Sequence, residues 1–292
     1  MTEYDIPSGR PAETPTPSPG DPRLARLSLN QMTTRNWTVA EAVAGCQRAG
    51  IPAIGLWRDH VAAAGLAKTA GLIADAGLRV SSLCRGGFLT GADRNAALDD
   101  NRRALDEAAE LGAGELVMVV GGLPEGSRDL RGARERVADA VGDLVPYARE
   151  RGVRLALEAL HPMYCADRAV LSTLGQALDI AEQFPVETVG VVVDTFHTWW
   201  DPAVGDQITR AAARISCFQV CDWVLPLAPD VLLARGMMGD GHIHFGFFAQ
   251  RASAAGYTGD IEVEIFNADV WKAPGDAVLA TMARRYVEHV LV

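Results

Sequence analysis

Three apolar runs in this chain end abruptly in a carboxylate. Val191-Val-Val-Asp194 is one, and His197 follows three residues later. Arg154-Leu-Ala-Leu-Glu158 delivers Glu158, and Glu262-Val-Glu-Ile-Phe266 delivers Glu264. Continuous aliphatic runs mark parallel strands that are covered on both faces. In a βα-barrel, the polar residue at the carboxyl end of such a strand sits at the mouth where active sites are built. Three carboxylates on separate strand ends need one explanation, and a shared divalent cation supplies it.

Strand-like and helix-like segments alternate along the whole chain. The strand candidates are Arg26–Gln31, Ala53–Trp57, Val80–Cys84, Glu115–Val120, Arg154–Glu158, Val189–Asp194, Ile215–Val220 and Ile261–Phe266. Between them lie Ala-rich amphipathic segments with apolar residues three and four apart, as in Thr38–Ala49, Asn95–Leu111 and Arg134–Arg151. Gly50, Gly77, Gly112, Gly152 and Gly256 stand where left-handed helix caps are needed. Eight βα units predict a single parallel (β/α)8 barrel. A doubly wound sheet is the alternative, but no Gly-x-Gly-x-x-Gly fingerprint follows a first strand. Gly121-Gly122 lacks the rest of a phosphate motif and reads as a turn.

The length of 292 residues and the 49% hydrophobic content suit one such barrel. The formal net charge of −10 disfavours a generic nucleic-acid binder. No run reaches the ~18 apolar residues that read as a membrane-spanning helix. Five cysteines form no CxxC pair, so reduced thiols and a cytoplasmic setting are expected. Cys217 and Cys221 read as small core residues rather than a ligand pair. Residues 1 to about 22 are rich in Pro, Ser, Thr and Gly and lack a signal-peptide core. They are expected to be a flexible leader, with the barrel over 23–292.

The last four strands carry the polar residues. Glu158 is followed by His161, and Asp194 by His197. The seventh strand reads Cys217-Phe-Gln-Val-Cys-Asp-Trp223, with Gln219 and Cys217 on one side. On the eighth, Glu264 is the preferred ligand, and Glu262 lies lower in the barrel or at its rim.

These segments resemble the xylose-isomerase-like barrel superfamily of sugar isomerases and epimerases, hydroxypyruvate isomerase, inosose dehydratase and endonuclease IV. The resemblance covers residues 24–290. It implies one metal held by Glu158, Asp194, Gln219 and Glu264, with Glu158 and Glu264 doubling as acid and base. The run Asp194-Thr-Phe-His197 is similar to ketose 3-epimerases, which implies a substrate contact for His197. The stretches GDGHIHF and AAGYTGDIEVEIF resemble the loop and final strand of the superfamily. Many epimerases have histidine where this chain has Gln219, whereas hydroxypyruvate isomerase has glutamine. An amide oxygen beside three carboxylates favours Mn2+ or Mg2+. Endonuclease IV is similar in architecture only, because six histidines are too few for its three metal ions.

Around this set, His161, Trp57, Arg58, Arg85, Trp199, Trp223 and Arg235 are candidate substrate contacts; core or surface roles are the alternative for each. The functional expectation is a metal-dependent isomerase or epimerase of a sugar, polyol or keto acid, working through an enediolate. Elimination from a keto-sugar or inosose, including cleavage of C-glycosides, is the second expectation. A non-catalytic sugar-binding barrel is the third. Homo-oligomers are common in the resembling families, so self-association is possible here.

Overall fold

The structure is a computed structural model and describes residues 15–291. Eight parallel strands close into a barrel: Leu27–Asn30, Ala53–Trp57, Arg79–Gly87, Glu115–Val119, Arg154–Leu157, Val189–Asp194, Ile215–Val220 and Ile261–Val263. The last pairs back onto the first, Ser28 standing beside Glu262. Helical segments follow the strands and cover them, as parallel connections require.

Local signals set the helix ends. Thr38 caps Val39–Ala49 and forms a capping box with Glu41. Gly50, Gly77, Gly112 and Gly152 each close a helix with φ between 65° and 69°. The long helix Leu130–Arg151 buries Ala133, Val137, Ala140, Val141, Leu144 and Ala148, a stripe at three- and four-residue spacing. Truncating Leu144 to alanine would remove about 2–5 kcal/mol of stability.

Inside the barrel, Cys84, Val117, Ala156, Val192 and Cys217 form a packed layer from five successive strands. Strand side chains alternate, so the residues two further on point the same way. Three of those positions are Glu158, Asp194 and Gln219. The apolar layer is therefore the floor of the polar site. On the opposite wall Glu262 sits two residues deeper along its strand than Glu264. Its carboxylate accepts from Asn30, Ser81, Ser82 and Gln219 at 2.5–3.0 Å. Gly55 makes this possible, since a Cβ there would lie 2.4 Å from the Glu262 carboxyl carbon.

Several element ends differ from the sequence pattern. The third strand runs on to Gly87. The eighth ends at Val263, because Ile265 N–H turns to Thr33 Oγ1 at 2.9 Å. An antiparallel ribbon pairs Asp222–Trp223 with Arg235–Gly236, which periodicity did not predict. Residues 1–14 of the expected leader lie outside the described residues. In its remainder Pro17 is buried, and Thr16, Pro17 and Pro19 line a hollow with Arg48 and Leu279. All five cysteines are free. Burial pushes the Cys46 thiol up to about 12 and raises Cys84, Cys217 and Cys221 as well. Among the described residues no helix is long and apolar enough to cross a membrane.

At the amino-terminal end of the barrel, burial raises the Glu115 carboxyl to about 7, against the pull of Arg154. One of its oxygens is sealed from solvent without a partner. A raised folded-state value costs nothing below the unfolded value near 4.5, and stability is lost as pH rises through about 7. Glu115→Gln is therefore expected to raise Tm at pH 8, by on the order of 5 °C, and to change little at pH 4.5. Scanning calorimetry at both pH values checks this; an equal shift at both would contradict it.

Candidate functional site

The backbone continues each ladder for one residue beyond the strand to set the two glutamates. Glu158 N–H donates to the Met118 carbonyl at 3.2 Å, and Glu264 N–H to the Val220 carbonyl at 3.2 Å. Asp194 and Gln219 are register partners on adjacent strands. All four side chains are buried.

Arg235 enters among them from the ribbon. It is buried, and its guanidinium lies 4.8 Å from the Phe196 ring and 4.7 Å from the Phe266 ring. Nη1 is 2.6 Å from Glu264 Oε2 and 3.8 Å from Asp194 Oδ2. Asn267 holds the ribbon by donating to the Arg235 carbonyl at 2.8 Å. Asn30 donates to Glu264 Oε1 at 3.0 Å, and its own oxygen accepts from Trp57 Nε1 at 3.0 Å. Both oxygens of Glu264 are thus engaged. The Glu158 carboxylate, in contrast, makes no hydrogen bond among the described residues.

His197 is buried beside Arg235. Its Nδ1 accepts from the His161 N–H at 3.1 Å, and its Nε2 is 3.1 Å from Arg235 Nη2. A neutral imidazole accepts at one nitrogen only, so one of these two contacts sets donor against donor. Burial, then Arg235, holds the ring well below its usual pKa. His197 is therefore neutral.

The carboxyls respond to burial and to one another. Glu158 is raised well above the usual range by burial and by the charges of Glu264 and Asp194. Burial raises Asp194, partly offset by Arg235. Burial likewise lifts Glu264 to about 7 against Arg235. Such crowding of acids calls for added positive charge. Two oxygens also lack an answer: Asp194 Oδ2 and Gln219 Oε1 are sealed from solvent without a hydrogen-bond partner. Gln219 spends its Nε2 on Glu262, which leaves Oε1 as the open end. Glu158, Asp194 and His197 offer donor atoms that all lie within 4.8 Å of one another. These residues fit a divalent cation in an oxygen-rich setting.

A cavity of about 420 Å³ opens over this centre, lined by Trp57, Arg85, Glu158, His197, Arg235 and Glu264 among others. Four of the expected substrate contacts stand off its wall. Arg58 is turned into Asp100 and Glu107, at 3.0 and 2.7 Å. His161 packs on Trp223 at 5.0 Å between ring centres, and Trp199 packs on Trp223 at 5.6 Å. Trp223 also covers Phe196, at 4.9 Å. These rings back the site rather than face its opening. Of the expected contacts, Trp57, Arg85 and Arg235 line the cavity directly.

Sequence reasoning passed over Asn30, Asp222, Tyr164 and Arg168. Asn30 ends the first strand as the acids end theirs, and that parallel was the available signal. Asp222 accepts from the backbone of Trp223, Gly239, Gly241 and Ile243 at 2.8–3.0 Å. It fixes the glycine-rich loop. Tyr164 and Arg168 come from a stretch with no periodic signal at all.

Fold and site together define a (β/α)8 barrel with an acidic centre at the carboxyl ends of its strands. Residues 43–286 match the family model of the xylose isomerase-like TIM barrel, and the chain belongs to that family. It is 49% identical to protein SMc04130 from Sinorhizobium meliloti 1021. That crystal structure superposes with a TM-score of 0.88 over 91% of this chain and 98% of its own. The crystal structure of the IOLI protein with a bound zinc atom is 19% identical, with a TM-score of 0.79 over 91% of this chain and 98% of its own. At that identity the likeness is one of fold. A 3-dehydroshikimate dehydratase of Pseudomonas putida is 29% identical over 188 residues, 61% of this chain. The match covers 27% of that relative's length.

Removing Arg235 would leave Glu264 buried without its cation. Arg235→Met is expected to cost about 3–5 kcal/mol in chelator-treated protein, and added Mn2+ should recover part of the loss. Denaturant melts with and without the ion test this; an undiminished midpoint in chelator would show that the pair holds nothing.

Proposed function

We propose that the protein is a metal-dependent isomerase or epimerase that moves a proton next to the carbonyl of a small sugar, polyol-derived ketone or keto acid. The observation that carries this reading is Glu158, a buried carboxylate without a hydrogen-bond partner among the described residues. It lines the cavity, and its donor oxygen lies within 4.8 Å of the donor atoms of Asp194 and His197. In this reading Glu158, Asp194, Gln219 and Glu264 hold the cation, Mn2+ or Mg2+ by the preponderance of oxygen donors. When bound, the ion polarises the substrate carbonyl and stabilises negative charge on its oxygen.

The chain's own residues supply the rest. Glu158, whose proton affinity is raised, removes the carbon-bound proton. Neutral His197 and the fork of Arg235 donate to the oxygen where charge develops. In this reading Glu264 gives up its contacts with Asn30 or Arg235 to return the proton, and Trp57 and Phe266 shield the centre from water. Intact acids on separate strand ends argue against a barrel that binds sugar without turnover.

A second reading is elimination of a β-substituent from the same kind of ketone. Both oxygens of Glu264 are engaged, by Asn30 and Arg235, which leaves Glu158 as the one unengaged base of the pair. One base suffices to start an elimination, whereas epimerisation needs proton delivery to the opposite face. The similarity to a dehydratase favours this reading too.

Solvent-deuterium exchange at a carbon-bound position of a panel of ketoses and keto acids, with metal content assayed in parallel, separates the two. Exchange with a new diastereomer supports isomerisation; an unsaturated product supports elimination. Glu158→Gln is expected to slow exchange by roughly 10²–10⁴-fold with metal still bound. Near-normal exchange in that variant would remove Glu158 as the base.

A further inference from the structure

The cavity lining holds donor groups that make no hydrogen bond among the described residues. Arg85 lines the cavity and has no carboxylate or carbonyl partner among the described residues; its guanidinium lies 4.2 Å from the Phe88 ring. Arg168 lines the same cavity, 5.5 Å from the Tyr164 ring. Its Nε is buried without a hydrogen bond, and Asp167, which also lines the cavity, pairs with it loosely at 3.6 Å. The Tyr164 hydroxyl, also in the lining, is buried without a partner.

The contrast with neighbouring arginines is informative. Arg58 forks onto two carboxylates and Arg235 onto Glu264. Arg85 is instead held by an aromatic face, which orients a guanidinium without occupying its N–H groups. Phe88 takes a positive φ of 53° and is 46% exposed. A bulky residue in that conformation stores strain, and the position keeps its ring under Arg85 at the cavity edge. A planar fork, a second guanidinium edge and a phenol hydroxyl match an anionic group with several acceptor oxygens.

We propose that the substrate carries such an anion, a carboxylate or phosphate, and that Arg85 receives it with Arg168 and Tyr164. This rests on the enolising role proposed above and narrows it to acidic keto-sugars or keto acids. Neutral ketoses would leave the sealed Tyr164 hydroxyl and Arg168 Nε without an acceptor on binding, which costs affinity. The anion would dock on Arg85, Arg168 and Tyr164 and present its carbonyl end to Glu158.

Matched ligands test the idea on the metal-loaded full chain. D-Fructose and D-fructuronate differ only at C6, as do D-tagatose and D-tagaturonate; D-fructose 6-phosphate tests the phosphate source. Titration calorimetry is expected to give the anion at least about tenfold tighter binding than the alcohol. Arg85→Gln should collapse that ratio towards one, and Arg85→Lys should retain part of it. Circular dichroism melts confirm that both variants fold. Preference for the carboxylates over the phosphate identifies the carboxylate as the anion, and the reverse identifies phosphate. Equal affinity for anion and alcohol, no binding of either, or a preference that survives in Arg85→Gln overturns the proposal. Deuterium exchange distinguishes its failure from that of the enolising reading. Exchange into D-fructose or D-tagatose without anion preference sinks only the Arg85 assignment. Arg85-dependent anion binding without exchange sinks only the chemistry.

Discussion

Four carboxylates, from Glu158, Asp194, Glu262 and Glu264, are buried in one end of this barrel, and the surrounding structure is organised to answer them. An isolated buried charge is prohibitively costly, so each must be neutralised, paired or hydrogen-bonded. Glu262 is answered by neutral donors alone, from Asn30, Ser81, Ser82 and Gln219. Glu264 is answered by Arg235 and Asn30. Glu158 is left to hold its proton or take a cation, and Asp194 keeps one oxygen unanswered. The gradient from full satisfaction at Glu262 to none at Glu158 runs from the barrel floor towards the cavity. The satisfied carboxylate lies low in the barrel, and the unsatisfied ones lie at the top.

Much of this was legible in the sequence because barrels repeat one rule. A strand buried on both faces reads as an aliphatic run, and its last inward residue stands at the mouth. That rule pointed to Glu158, Asp194 and Glu264 without any contact information, the resemblance added Gln219, and the family match bears out the barrel itself. The strand pleat also placed Cys217 one layer beneath Gln219, in the apolar floor. What stayed hidden depends on side-chain direction across loops. Arg58 and Arg85 each stand at or near a strand end, yet one is captured by Asp100 and Glu107 and the other is left unpaired. No spacing distinguishes them, because the capturing acids lie on the distant helix Arg94–Leu111. Asn30, an uncharged strand end, drew no attention despite bonding to two of the four acids. The tryptophans were expected as substrate contacts, but Trp199 and Trp223 pack on one another behind the site.

Arg235 is the residue whose meaning changes most between sequence and structure. In the sequence it belongs to an irregular loop. In the fold it is sandwiched between Phe196 and Phe266 and reaches Glu264, Asp194 and His197 together. Its fixed charge lets the acids coexist, while its approach to His197 leaves one nitrogen contact poorly matched. A ligand oxygen arriving there would be received by donors already aimed and already desolvated. Such preorganisation avoids reorientation during reaction.

Asp222 gives the loop around Arg235 a further property. The ribbon joins Asp222–Trp223 to Arg235–Gly236, and the Asp222 carboxylate gathers the backbone of Gly239, Gly241 and Ile243. Both ends of the segment between Trp223 and Arg235 are therefore anchored to the barrel rim, independently of what lies between them. That segment includes the exposed Leu225 and Leu227, and Leu232 reaches the cavity wall. It has the form of a cassette: its length and side chains can change while its attachment points, and with them the position of Arg235, stay where they are. A barrel built this way can acquire a new substrate preference by rewriting one span of rim without disturbing the acids beneath it.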